Sequence, residues 1–127
     1  MVIPSLAKGG YSVRKSVNVG RRLGDGKHLV DVIASDSAGR VLLVSLKWQQ
    51  TSGTTEQKVP FEIMSLADAI RSSAGRYHKA YLVLGGPGWK LRDFFVADGV
   101  GPFMKNVETV VVMRLEEFIG KANKGQL

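Results

Sequence analysis

Asp31, Ser45, Lys47 and Gln49 are the residues whose types and spacing point most directly to chemistry. Asp31 lies inside one apolar run, Leu-Val-Asp-Val-Ile. The string Ser45-Leu46-Lys47-Trp48-Gln49 closes the next run, and the polar segment Ser35 to Arg40 separates the two. If both runs are strands joined by that turn, Asp31 stands beside Ser45 and Lys47 on neighbouring strand ends. Alternate residues of a strand share a face, so Ser45, Lys47 and Gln49 project together. A carboxylate next to a lysine at a sheet edge can hold a hard cation and a phosphate, since oxygen ligands bind the ion and the ammonium meets the anion.

A sheet must position these groups. Tyr11 to Val19 alternates Tyr11, Val13, Val17 and Val19 against Ser12, Arg14, Ser16 and Asn18, the period-2 pattern of a half-buried strand. Gly20 to Lys27 reads as a glycine-rich basic turn. His28 to Ala34 and Arg40 to Trp48 are nearly continuous apolar runs, expected as central strands covered on both faces. After the polar loop Gln50 to Thr55, Thr54 and Gln57 have the spacing of a capping box. Val59, Ile63, Leu66, Ala67 and Ile70 then form the apolar stripe of a helix running to about Ser72, with Gly75 stopping it. Lys79 to Leu84 is a further strand, Lys90 to Ala97 a short helix holding Phe94 and Phe95 against the core, Val107 to Met113 a last strand and Leu115 to Ala122 a closing helix. The order is βββαβαβα, an α/β layer with a mixed sheet in which the late strands pair in parallel through helical crossovers. Met1 to Gly9 and Lys121 to Leu127 are expected to fray.

The 127 residues are of one-domain size, and 44% apolar content is that of a globular chain. Without cysteine there are no disulfides, thiolate zinc sites or cysteine nucleophiles, which suits a reducing cytoplasm. His28 and His78 are too few for a multi-histidine metal site. No apolar run approaches the ~20 residues of a membrane span, and Met1 to Gly10 lacks the regions of a signal peptide, so the expectation is an intracellular protein. The net charge of +7 favours a polyanionic partner, with nucleic acid first. Arg14, Lys15, Arg21, Arg22 and Lys27, on the first strand and its turn, are the candidates for DNA backbone contacts.

Asp31, thirteen intervening residues, then Ser45-Leu46-Lys47 and Gln49 at the end of an apolar strand resemble the core of the PD-(D/E)XK nuclease superfamily. The element order from Tyr11 to Met113 also resembles that superfamily's sheet and crossover helix. The resemblance implies a restriction-endonuclease-like fold, DNA as partner, a homodimer for two-strand cutting, and phage- or mobile-element-type relatives. The activity it implies is Mg2+-dependent endonuclease cleavage, with Mn2+ able to substitute. The small size favours a resolvase-like enzyme that reads DNA shape; a sequence-specific restriction or homing nuclease is the nearest rival. Asp31 would anchor the metal and Lys47 would orient or activate the nucleophile.

The chain departs from the motif at two positions. Val30 replaces the proline, and Ser45 stands where Asp or Glu is usual. In some branches the missing acid migrates to the following helix, where this chain has Glu56 and Glu62. Glu56 continues the inward stripe, three residues before Val59 and seven before Ile63, and is preferred; Glu62 lies at the stripe's border. Gln49 would be a neutral oxygen ligand or orienting partner.

Structural roles compete with these. Asp31 could salt-bridge Lys47, Ser45 could be a small residue under the helix, and Glu56 suits a first helical turn through the helix dipole. Two further function classes follow: a nucleic-acid-binding module of the same fold without chemistry, and a Ser-Lys hydrolase with Ser45 as nucleophile and Lys47 as base.

Overall fold

A computed structural model describes residues 1–21 and 26–127, apart from the side chain of Arg21. The chain runs α1 (Val2–Lys8), β1 (Ser12–Arg21), β2 (Lys27–Ser35), β3 (Val41–Trp48), α2 (Thr55–Ser72), β4 (Lys79–Gly85), α3 (Arg92–Val96), a 3-10 turn (Gly101–Phe103), β5 (Val110–Arg114) and α4 (Leu115–Asn123). The strands form one five-stranded sheet in the order β1-β2-β3-β4-β5, antiparallel from β1 to β3 and parallel from β3 to β5. Chain connectivity explains the change of sense. The Asp36 carboxylate accepts the Ala38 and Arg40 amides at 3.0 and 2.9 Å, and Gly39 takes φ +86°, closing a tight turn that forces β2 and β3 antiparallel. A parallel pair needs a long crossover, which α2 supplies between β3 and β4.

Each face of the sheet has its own apolar layer. Val59, Ile63, Leu66 and Ile70 of α2 pack on Val30, Ile33, Leu43, Leu82 and Leu84, with Phe95 from α3. On the other face, Leu6 of α1 and Phe118 and Ala122 of α4 cover Val32, Val44, Tyr81, Val83 and Met113. β4 is buried from Ala80 to Gly85, the continuous apolar run of a strand covered on both sides.

The mixed α/β fold agrees with the sequence reading, and several details correct it. The N-terminal segment does not fray: Val2–Lys8 is a helix whose Leu6 is fully buried. Nor does the C-terminus, where the Leu127 amide donates to the Tyr11 hydroxyl at 3.0 Å. β2 is covered on both faces only from Val32 onward; before it, Lys27, Leu29 and Asp31 are exposed. Phe94 is exposed while Phe95 is buried. Thr54 is the N-cap of α2 but makes no side-chain cap hydrogen bond. β5 starts three residues later than expected, because the Val110 amide bonds the Val107 carbonyl and Asn106 takes φ +60° in the preceding turn. No described helix is long and apolar enough to cross a membrane.

Candidate active site

Asp31 sits where β1 and β2 both lose their regular alternation. In β1, Val13 packs in the α1/α4 layer but Val17 packs in the α2 layer, although an even spacing should keep them on one side. In β2, Val32 and Val30 are divided in the same way. The break in alternation falls on Ser16 and Asp31, which lie between the paired residues Lys15–Val32 and Val17–Val30 with the register unchanged. Ser16 takes the left-handed φ of +49° there, uncommon for a residue with a side chain. Pairing between β2 and β3 also stops at Val32–Val44, so the strands part just where Asp31 and Ser45 begin. The Leu46 amide, which would otherwise bond a β2 carbonyl, donates to Asp31 Oδ2 at 2.7 Å. Asp31 is thereby fixed against the strand that carries Ser45 and Lys47 while remaining exposed.

The acid that meets this strand from the helix is Glu62. The Ser45 hydroxyl donates to Glu62 Oε2 at 2.9 Å, and Lys47 Nζ lies 3.9 Å from the same oxygen. His28 Nε2 is 3.3 Å from Glu62 Oε1. The imidazole is 1% exposed, and neither ring nitrogen makes a well-formed hydrogen bond. Glu62 itself is 4% exposed. Burial pushes its pKa upward, but His28, the Ser45 hydroxyl and the Lys47 charge outweigh that and hold the carboxyl below the ordinary glutamate range. It is therefore an anion in a mostly dry setting, beside a half-buried lysine. Among the described residues Lys47 pairs with Glu62 and not with Asp31.

Glu56 Oε1 and Gln49 Nε2 are engaged elsewhere, while Gln49 Oε1 is buried with no hydrogen-bond partner among the described residues. Glu56 Oε1 accepts the Lys90 and Leu91 amides at 2.5 and 2.6 Å, tying the first turn of α2 to the residues that open α3. Gln49 Nε2 donates to the Gly88 carbonyl at 2.7 Å, and the Gly88 amide returns a bond to the Gln49 carbonyl. Gly86, at φ +93°, lies so close to this backbone that a β-carbon would sit 2.4 Å from the Gln49 carbonyl oxygen. Gln49 thus holds the Gly85–Gly88 loop.

The structure brings Ser45, Lys47 and Glu62 together, and the Leu46 amide holds Asp31 at the backbone between Ser45 and Lys47. Glu56 and Gln49 anchor the neighbouring loops. Among the described residues, Arg14, Lys15 and Lys27 do not form one cluster. Arg14 and Lys15 are both exposed on the edge strand, but alternation sends them to opposite sides, Lys15 with Val32 and Arg14 with Ile33. Lys27 lies five residues further along β2 from Val32, about 16 Å at the usual strand rise. Arg22 and the side chain of Arg21 lie outside the described residues. The sequence reading did not single out His28; its position two residues before Val30, in an apolar strand that also carries Asp31, was the available signal.

Asp31 and Glu62 are hard oxygen donors suited to a divalent cation such as Mg2+, which usually takes one or two carboxylates and fills its other positions with water and phosphate. Among the described residues no group of three acidic or histidine side chains converges. The donor set therefore fits a cation shared with a substrate phosphate better than a cage built wholly of protein groups.

No curated protein sequence matches the chain. Among solved structures, a protein of unknown function, AF1548, superposes with a TM-score of 0.58 at 12% identity, over 90% of this chain and 54% of its own. A repair endonuclease from Pyrococcus abyssi gives a TM-score of 0.43 at 13% identity, over 87% of this chain and 40% of its own. EndoMS in complex with double-stranded DNA gives 0.42 at 16% identity, over 88% and 39%. The chain thus spans about half or less of the length of these structures, and the first of them supports the fold alone. The family model of the PD-(D/E)XK nuclease superfamily domain matches residues 2–126, nearly the whole chain, and the chain belongs to that superfamily.

Proposed function

We propose that the protein is a metal-dependent DNA endonuclease whose acidic pair is Asp31 and Glu62, with Lys47 as the cationic group at the scissile phosphate. The observation that carries this reading is the 2.9 Å bond from the Ser45 hydroxyl to Glu62. It supports the reading that the acid the superfamily's motif expects at this position is supplied by a carboxylate from α2. Of the two helical acids, Glu62 is the one within reach of Lys47, while Glu56 has one oxygen, Oε1, taken by two backbone amides.

When bound, a divalent cation supplies Lewis acidity toward the phosphate and favours deprotonation of an attacking water. The protein's own groups then have defined tasks. Asp31, fixed by the Leu46 amide through Oδ2, offers its other oxygen to the ion. Glu62 offers a carboxylate kept ionised by its neighbours. Lys47 donates from Nζ to a phosphate oxygen, orients the incoming water and offsets charge as it develops on the phosphate. Ser45 holds Glu62 in place and is not a nucleophile in this scheme, because its hydroxyl proton is already committed to the carboxylate.

Resolvase-like selection of branched DNA, Mg2+ as the physiological ion, with Mn2+ as substitute, and a homodimer for paired cuts complete the proposal. With helices packed on both faces of the sheet, the exposed Asp31 and the neighbouring Lys47 at the β2–β3 end are the groups proposed to meet DNA, an arrangement that favours reading of shape over reading of sequence. The test is nicking of a four-way junction and of a plasmid in Mg2+ and Mn2+. Cleavage should fall by roughly 10²–10³ in Lys47→Ala. Tight binding without cleavage in either ion would instead identify a DNA-binding module that has kept the fold and lost the chemistry.

A further inference from the structure

Trp48 follows Lys47 directly, yet its indole is 61% exposed. Exposure does not leave it loose. The six-membered ring lies on Gly85, where a β-carbon would approach it to 2.9 Å, and Nε1 donates to Gln50 Oε1 at 3.3 Å. The ring is thus held in one orientation with a free face. It borders an open hollow of about 670 Å³, whose walls are mainly apolar: Ile3 and Pro4 of α1, Val32, Leu46 and Leu115. Lys15 stands in the same lining, and Lys47 contributes to its edge while its ammonium lies 3.9 Å from Glu62, on the α2 side of the sheet.

An apolar floor, a flat aromatic wall, a lysine at the rim and a second lysine at the adjoining sheet end match the anatomy of one nucleotide, with its planar base, its sugar and its phosphate. Resting on the nuclease reading above, we infer that this hollow is a nucleobase site: an unstacked base next to the scissile phosphate lies against Trp48, with its own phosphate at Lys47 and the adjoining one at Lys15. A base inside an intact duplex is stacked on its neighbours and cannot enter. The site therefore selects DNA with an unpaired nucleotide beside the cut, such as a flap or the splayed strand of a branch point. Any of the four bases will serve, because each has a stacking face and the hollow's side walls offer few polar groups to read an edge.

Binding without metal separates this site from catalysis. Fluorescence anisotropy in EDTA compares a fully paired duplex with the same duplex carrying a short thymidine flap, for the wild-type chain, Trp48→Ala and Trp48→Phe. The wild-type chain should prefer the flap. Trp48→Ala should lose at least ~5-fold in affinity for it, the lower end of base–aromatic stacking, and nothing for the duplex, while Trp48→Phe keeps most of the preference. Replacing the flap nucleotides by abasic ones should weaken wild-type binding to the level of Trp48→Ala and leave Trp48→Ala unchanged. An equal loss on both DNAs, or an abasic flap bound as tightly as a thymidine flap, overturns the base site and returns the hollow to an apolar segment of a protein partner. Flap preference without cleavage in Mg2+ or Mn2+ would overturn the nuclease reading and leave the base site standing. Cleavage with no flap preference would do the reverse.

Discussion

The Ser45 hydroxyl donates to the Glu62 carboxylate across 17 positions of sequence, joining the end of β3 to the second turn of α2. This bond ties the residue that departs from the superfamily's motif to the acid proposed above to act in its place. The remaining contacts of Glu62, to Lys47 and His28, place the carboxylate among donors and cations.

Glu62 and Glu56 should separate cleanly on substitution. Glu62→Gln should raise the Mg2+ concentration needed for cleavage at least ~10-fold, since it removes a ligand charge while keeping the shape. Glu56→Gln should leave cleavage close to wild type and lower stability by about 1–3 kcal/mol, because two amides lose a charged acceptor. Metal titrations of nicking activity, read beside urea melts, check both; the opposite pattern would assign the metal to Glu56.

Moving the acid back to the strand offers a rescue. In the Glu62→Gln background, Ser45→Asp puts a carboxylate within hydrogen-bond distance of the side chain it replaces, and the double variant should recover activity roughly 10-fold over Glu62→Gln alone. Ser45→Asp by itself places two carboxylates together and should be destabilised unless a divalent cation is present. Thermal melts with and without Mg2+ decide this, and a melt insensitive to Mg2+ would count against a cation at the site.

The depressed pKa of Glu62 has a signed consequence. A carboxyl whose folded pKa lies below its ordinary value of 4.5 contributes stability that is present above that value and is lost as pH falls through the folded pKa. Stability should therefore decline below about pH 4.5, and Glu62→Gln should decline less over the same range. Denaturant midpoints measured from pH 6 down to pH 3 test this, with parallel curves for the two proteins as the contrary result.

Leu6 tests whether the N-terminal helix is part of the fold. It is fully buried beside Phe118 and Ala122, so Leu6→Ala should cost about 2–5 kcal/mol. A loss below ~0.5 kcal/mol in urea denaturation would mean that α1 detaches in solution.

Much of the fold was legible because period and composition speak locally. The alternation of Tyr11 to Val19, the apolar run of β4 and the stripe Val59–Ile63–Leu66–Ile70 each follow from a side-chain repeat that burial must satisfy. Met1 to Gly9 was not legible in this way, because seven helical residues have little stability alone and form a helix here by docking on α4. For the site, the same local rules placed Asp31, Ser45 and Lys47 on adjoining strands. They could not choose between Glu56 and Glu62, which differ by less than two helical turns and both face inward. That choice rests on which neighbour each carboxylate meets: the Lys90 and Leu91 amides for Glu56, and Ser45, Lys47 and His28 for Glu62. Nor could they show that side-chain alternation in β1 and β2 breaks at Ser16 and Asp31, where Asp31 accepts the Leu46 amide. Periodicity is a property of one segment and can be read from it; the partner of a charged group is a property of two distant segments and is decided only when they pack.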